Sequence, residues 1–492
     1  MTTTEKTQTK AAKKALSAQE RAAQSARLKV EHIDREQGTE RGRAVRKAMP
    51  RSSHADWIPP SGRRSPVDIL AEQATTREPD LIPIRHGRMM VSPFTFFRGA
   101  AAVMAADLAH TPTTGMRVQL CGDAHLLNFG GYASPERELI FDVNDFDETL
   151  PGSWEWDVKR LAASVDIAAR QVGFTSQDRR AAVERTVRGY RTAMREFAAK
   201  TELDVWYAHL DAEGLAARVR AESGRKITPV LDAAFAKART KDSMKAFAKL
   251  TSVVDGQLRI TPDPPLVVPL RDLVDPALRP NYWEELQWIF RSYRRTLQGD
   301  RRHLLEQYRM VDMARKVVGV GSVGTRCWII LLMGRDDNDP LFIQVKEAQD
   351  SVLAPFAGKS KFNNQGQRVV EGQRLMQAAS DIFLGWIRVI GLDNNERDFY
   401  VRQLWDWKIS VNPDNATPDT LGLYGEVCGW TLASGHARSG DRIAIASYLG
   451  GGPTFDVAVT DFAEAYAAQN ERDYAIFTDA VKDGVLEATM GL

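Results

Sequence analysis

GVGSVG at residues 319–324 is a G-x-G-x-x-G turn, and its flanks restrict what the chain can build around it. A dinucleotide-binding turn of this spelling leads from a strand directly into a helix. Here Gly324 is followed by TRCWIILLMG, which is β-rich, then by an Asp/Asn/Pro turn at 336–340, then by LFIQVKEA, β-rich again. The stretch 315–348 therefore reads β–turn–β–turn–β. A glycine turn between antiparallel strands is a flap suited to covering nucleotide phosphates through its N–H groups. The alternative phosphate loop, GxxxxGK[ST], does not occur.

The last strand of that unit carries Lys346. Alternation puts Phe342, Gln344 and Lys346 on one face and Ile343, Val345 and Glu347 on the other. A lysine that holds phosphates needs a carboxylate to hold it in turn. The helical pattern over 368–383 offers Glu371, which shares a stripe with Leu375, Ala378 and Ile382. A carboxylate on an apolar stripe calls for a buried cation, so Lys346–Glu371 is the expected pair.

A second polar concentration lies far earlier. CGDAHLLNFG occupies 121–130 and FDVNDFDET 141–149, each at the end of a short strand, MRVQLCGD and LIFDV. So many carboxylates repel one another unless a cation or a proton offsets them. Asp123 and Asn128 stand in a G-D-x-x-x-x-N frame, and Asp145 follows 17 residues after Asn128. Magnesium-dependent phosphoryl transfer needs this set: one Asp to orient the attacking hydroxyl, and one Asn and one Asp to hold Mg²⁺ through oxygen. Asp147 reads equally as a second metal ligand or a loop cap.

Composition sets the outer bounds. At 492 residues the chain is long enough for two to four domains or lobes, and 43% hydrophobic with 26% charged residues supports a large core. The net charge of +2 exerts no overall pull toward nucleic acid, although residues 1–51 hold 13 Lys+Arg against 6 Asp+Glu, a net of +7 that leaves −5 for the rest. A nucleic-acid reading rests on that arm alone. Cys121, Cys327 and Cys428 are too scattered for a zinc site. The N-terminus lacks the apolar segment of a secretory signal, and WIILLM (328–333) is too short to cross a bilayer. A cytoplasmic protein with reduced thiols and no membrane partner is expected.

The organisation read along the chain is a basic, disordered or loosely helical arm at 1–55. A helical catalytic part follows at 56–314, with a helix at 97–110 and mostly helical sequence over 177–310. A β-rich nucleotide-binding part spans 315–412, and C-terminal helices over 413–492 pack back on the catalytic part.

GDAHLLN resembles the catalytic loop H-G-D-x-H-x-x-N of the aminoglycoside phosphotransferase and choline kinase group. DFD resembles that group's counterpart of the kinase D-F-G. Asp157 in WEWDVKRLA resembles the aspartate that opens the next helix and braces the catalytic loop. Over nearly its whole folded length the chain resembles the bacterial domain-of-unknown-function family 2252, through FFRGAAAVMAADLA, CGDAHLLNFG, NDFDET, WEWDVKRLAAS, VGVGSVGT and CGWTLASGHARSGD.

The resemblance implies an α+β, two-lobed protein-kinase-like fold with a mostly helical large lobe and a small antiparallel sheet plus one helix. It implies ATP and Mg²⁺ between the lobes and an unidentified hydroxyl acceptor. Gly319, Gly321, Ser322 and Gly324 would cover the phosphates, Lys346 and Glu371 would position them, and Asn128, Asp145 and Asp147 would serve the metal. Asp123 would orient the acceptor, and Gln403 and Leu404 in FYVRQLWDW would meet adenine. There are two departures. Cys121 stands where the group has His. The order is also inverted: Asp123, Asn128 and Asp145 precede Gly319, Lys346 and Glu371, which implies a circular permutation. Adenylyl transfer and a non-catalytic nucleotide-binding module are the rival functions. His125 is expected to brace its loop, Arg98 to form a salt bridge, and His436, Arg438 and Asp441 to close a helix rather than line the acceptor pocket. Trp405 and Trp407 are expected to pack rather than stack on a base.

Overall fold

The computed structural model describes residues 34–492 apart from 212–213, 217–242, 255, 275–278, 337, 392, 405–406 and 408–412. It is a mixed α+β fold with antiparallel sheets.

The described residues begin within the basic arm. Helix α1 (Arg35–Ala48) starts at a capping box, in which Asp34 accepts the Gln37 N–H and the Gln37 side chain accepts the Asp34 N–H. Its Gly38 and Gly42 are buried, and a side chain at Gly42 would run into the Ala444 carbonyl. Of the arm expected to be disordered or loosely helical, Arg35–Ala48 is a helix, and its small residues let it dock. Residues 1–33 lie outside the described set. After α2 (Pro66–Ala74) and α3 (Ile82–Met89), the expected helix at 97–110 is two, α4 (Pro93–Gly99) and α5 (Ala101–Leu108). The break falls at Ala100, whose φ of −108° and ψ of 35° are not helical.

Strand β1 (Arg117–Leu120) pairs with β4 (Leu150–Ser153), and β2 (Phe129–Ala133) with β3 (Leu139–Val143). These two ladders carry the loops 121–128 and 144–149. Behind them α6 (Trp154–Gln171) is buried almost throughout. It packs on α7 (Ser176–Ala199), on α8 (Pro418–Ser439) and on α10 (Thr454–Lys482), with α9 (Arg442–Leu449) closing over α1. The α7–α8 contact is close because Gly425 and Gly429 face Thr186, and Gly189 faces Glu426, where any side chain would collide.

The described residues of 177–310 are mostly helical, as the sequence reading has it, but short strands are set among the helices. Beyond α7 the segment contains β5 (Leu210–Asp211), the hairpin of β6 (Thr251–Val254) with β7 (Gln257–Ile260), and β8 (Val267–Pro269). Short β segments of four residues or fewer are hidden by the helical composition around them. The six-stranded sheet runs β12-β13-β11-β10-β9-β8, with β9 (Arg309–Lys316), β10 (Cys327–Met333), β11 (Pro340–Ala348), β12 (Gly385–Ile390) and β13 (Glu396–Gln403). All neighbours are antiparallel, and both faces are covered: Ile330, Leu332 and Ile343 lie in one core, Ile329, Leu331 and Phe342 in another. The expected β–turn–β–turn–β unit is there, although its sheet starts with β8, earlier than residue 315. Among the described residues no helix is long and apolar enough to cross a membrane, and the three cysteines are free and buried.

Candidate active site

The loop after β1 is fixed from behind. Asp157, in the first turn of α6, accepts the Cys121 N–H at 2.8 Å and the Gly122 N–H at 3.1 Å. His436 of α8 lies 3.3 Å from the same carboxylate, and its other nitrogen meets the Tyr190 hydroxyl at 2.9 Å. His436 is therefore fully buried bracing, not pocket lining. Arg438 donates to the Ala208 carbonyl, and Asp441 caps α9, both away from the cleft. Gly122 adopts a φ of +85° with no room for a side chain against Glu148. That turn aims Asp123 forward.

Asp123 Oδ1 accepts Arg160 Nε at 2.6 Å, and Asn128 Nδ2 donates to the Asp123 carbonyl at 2.8 Å, leaving the Asn128 side-chain oxygen for a ligand. His125 accepts the Leu127 N–H through Nδ1, which makes it loop bracing, and burial beside Arg98 and Arg160 keeps it neutral. Arg160 lies one turn along α6 from Asp157, so helical spacing alone could have flagged it.

Across the cleft, β9 and β10 are joined by the glycine turn. Gly319, Gly321 and Ser322 line the cleft. Gly324 does not: its φ of +91° serves a turn whose carbonyl accepts the Glu78 N–H, packed against Arg77. Register places Lys346 opposite Tyr400 on β13. Lys346 Nζ then reaches Asp147 at 2.6 Å and Asp145 at 4.0 Å, while Tyr400 and Ser322 donate to Asp147 at 2.6 and 2.9 Å. Burial would raise the Asp147 carboxyl, but Lys346 overrides it and holds Asp147 down at about 2. Asp145 gets less help: burial and the neighbouring Asp147 charge raise it.

The expected Lys346–Glu371 pair does not form. Glu371 lies on the helix Gln365–Met376, with its side chain a third exposed and 3.8 Å from Arg374. The helix ends at Met376, so Ala378 and Ile382 never extend the assumed stripe. The buried stripe runs through Val369, Val370, Gln373 and Met376, which turns Glu371 outward. Its inward cation, Arg368, binds the backbone carbonyls of Asp147, Thr149 and Gln349.

Two cavities of about 420 Å³ each open on this cluster. One is bounded by Lys346, Gln344, Arg402, Gln403 and Leu404; the other by Asp123, His125, Arg77 and Arg85. They share Arg98, Asn128, Asp145, Gly319 and Ser322. Arg98 carries no salt bridge to a described residue, contrary to expectation, and its Nε has no hydrogen-bond partner. Arg402 donates to the Asn144 carbonyl and to Gln344. Tyr400 and Arg402 were missed, although strand alternation in FYVRQ sets them on one face. Trp407 lies under the Arg137 guanidinium, 4.4 Å from its ring centre; Trp405 lies outside the described residues.

Among the described residues no three His, Cys, Asp or Glu side chains form a metal cage. The oxygens on offer for Mg²⁺ are those of Asp145 and Asn128. Mg²⁺ held by one or two protein oxygens and completed by substrate phosphates is the usual arrangement in phosphoryl transfer, so the donor set fits.

No curated protein and no solved structure matches the chain. A family match over residues 77–480 spans both sides of the cleft, and the chain belongs to the family described as "Uncharacterized protein conserved in bacteria (DUF2252)".

Proposed function

We propose that the protein is a Mg-ATP-dependent phosphotransferase of kinase-like, circularly permuted design acting on a hydroxyl acceptor. The observation that carries this reading is the pair of cavities meeting at Asn128, Asp145 and the glycine turn, with Lys346 on one side and Asp123 on the other. A nucleotide in the Lys346 cavity puts its γ-phosphate at that wall. Gln403 and Leu404, at the end of β13, flank its base, and Lys346 moves from Asp147 to the α/β-phosphates.

An acceptor in the other cavity presents its hydroxyl to Asp123. The hydroxyl oxygen bonds to the γ-phosphorus, the bond from that phosphorus to the β–γ bridging oxygen breaks, ADP leaves with the electron pair, and Asp123 takes the proton. Mg²⁺ at Asn128 and Asp145 supplies charge neutralisation for the phosphates. The chain's own contribution is alignment and preorganised charge. Lys346 lacks the helix glutamate of the kinase pattern, and Asp147 with Tyr400 takes over its orientation.

The test is turnover of ATP and Mg²⁺ with a pool of hydroxylated metabolites, read by mass. A product heavier by one phosphate supports the proposal. A product heavier by AMP replaces it with adenylyl transfer, and ATP binding without any product leaves a nucleotide-binding module.

A further inference from the structure

The acceptor-side cavity contains three arginines for which the kinase-like reading has no use. Arg85, on α3, is 1% exposed, and its Nε and Nη1 have no hydrogen-bond partner; only Nη2 is engaged, with Gln73 and the Gly99 carbonyl. Arg77 Nε and Arg98 Nε are likewise buried and unpartnered. All three line the cavity that holds Asp123. Burial, rather than any ion pair, dominates the electrostatics of each and lowers its basicity.

Most carboxylates of the same cavity are committed elsewhere, Asp350 accepting from Gln365, while Asp145 lies 4.0 Å from Lys346. Asp123 binds Arg160, Asp147 binds Lys346, Glu347 binds Arg326 and Glu72 binds Arg64. Glu148 accepts the Val352 N–H, and burial raises its carboxyl to about 7. Burying a guanidinium without a counter-charge is costly unless an anion completes it, and the planar fork of arginine matches carboxylate or phosphate oxygens.

Resting on the phosphotransferase reading, we infer that the acceptor is anionic: a small hydroxylated compound whose carboxylate or phosphate docks on Arg77, Arg85 and Arg98 while its hydroxyl faces Asp123. A volume of about 420 Å³ suits a metabolite-sized ligand.

Calorimetric titration of the full chain, saturated with Mg²⁺ and a non-hydrolysable ATP analogue, tests this with four matched probes: glycerol 3-phosphate, glycerate, glycerol and choline. The expected result is binding of glycerol 3-phosphate or glycerate, with glycerol and choline at least tenfold weaker, as loss of charge-assisted hydrogen bonds implies. The stronger of the two anions identifies the group. Arg98→Gln, which breaks no side-chain hydrogen bond or salt bridge to a described residue, and Arg85→Gln should each weaken the anion about tenfold or more. Equal binding of glycerol, preference for choline, no anion binding, or undiminished anion affinity in both variants overturns the inference. If the ATP analogue itself fails to bind, the same titrations are run on the protein alone, with Lys346→Ala as control. Anion binding lost in the arginine variants but kept in Lys346→Ala then upholds the subsite while the phosphotransferase reading falls.

Discussion

Lys346 and Asp147, 199 residues apart in the chain, meet at 2.6 Å, and this contact joins the sheet to the acidic loop. Lys346 is 3% exposed and Asp147 27%. Replacing Lys346 with Met should destabilise the protein by about 3 kcal/mol, since removing one partner strands the other charge. A double-mutant cycle with Asp147→Asn, read by urea unfolding, should show strong coupling; additive effects would refute it. The sign with pH follows from Asp147 at about 2. Its contribution is present above the ordinary carboxylate range and is lost as pH falls toward 2, and Lys346→Met should flatten this acid limb.

Asp123→Asn should abolish transfer while ATP affinity stays within about twofold, because Asp123 borders only the acceptor-side cavity. Single-turnover kinetics beside a fluorescent-nucleotide titration would check it. Turnover equal to wild type removes Asp123 from its role.

Asp157 is 1% exposed and accepts two backbone N–H groups of the loop that carries Asp123. Asp157→Ala leaves both donors buried without partners, a loss of about 3 kcal/mol. The midpoint of urea denaturation should drop accordingly, and Asp157→Asn, which keeps one acceptor oxygen, should recover part of it.

Glu148 and Asp142 should give an inverse pH dependence. Burial raises both carboxyls to about 7. In the unfolded chain they ionise near 4, so between about pH 4 and 7 the native state holds more protons and stability falls as pH rises. Glu148→Gln should raise the melting temperature at pH 8 relative to pH 5, compared with wild type. An identical pH profile for the variant would contradict this.

Gly42→Ala should destabilise by about 1–3 kcal/mol despite the better helix propensity of alanine, because its methyl would meet the Ala444 carbonyl. Thermal unfolding would show a lower transition, and an unchanged one would mean that α1 is not docked on α9.

Local signals carried far in this chain. The glycine turn needed only its β-rich flanks to be placed between antiparallel strands, and Asp123, Asn128 and Asp145 needed only their spacing and strand ends to be grouped. Glu371 shows where such reasoning stops. An error in helix phase and length rotated the assumed stripe, and the true inward cation, Arg368, binds a loop over two hundred residues earlier in the chain. Asp157 could be read in advance because WEWDVKRLA resembles the helix start that braces the catalytic loop in the kinase-like group. His436 could not, since its partner is 279 residues distant.

The sequence by itself determined the strands that flank the glycine turn, where that phosphate-type turn falls, and which acids share a loop, because period, turn chemistry and capping act within a few residues. Only the tertiary structure decided that Lys346 is held by Asp147 and Tyr400 and that three arginines crowd the cavity of Asp123. Those relations depend on how the ladders register and how the helices pack, and burial, which sets the charge state of each group, exists only once distant segments have excluded water from between them.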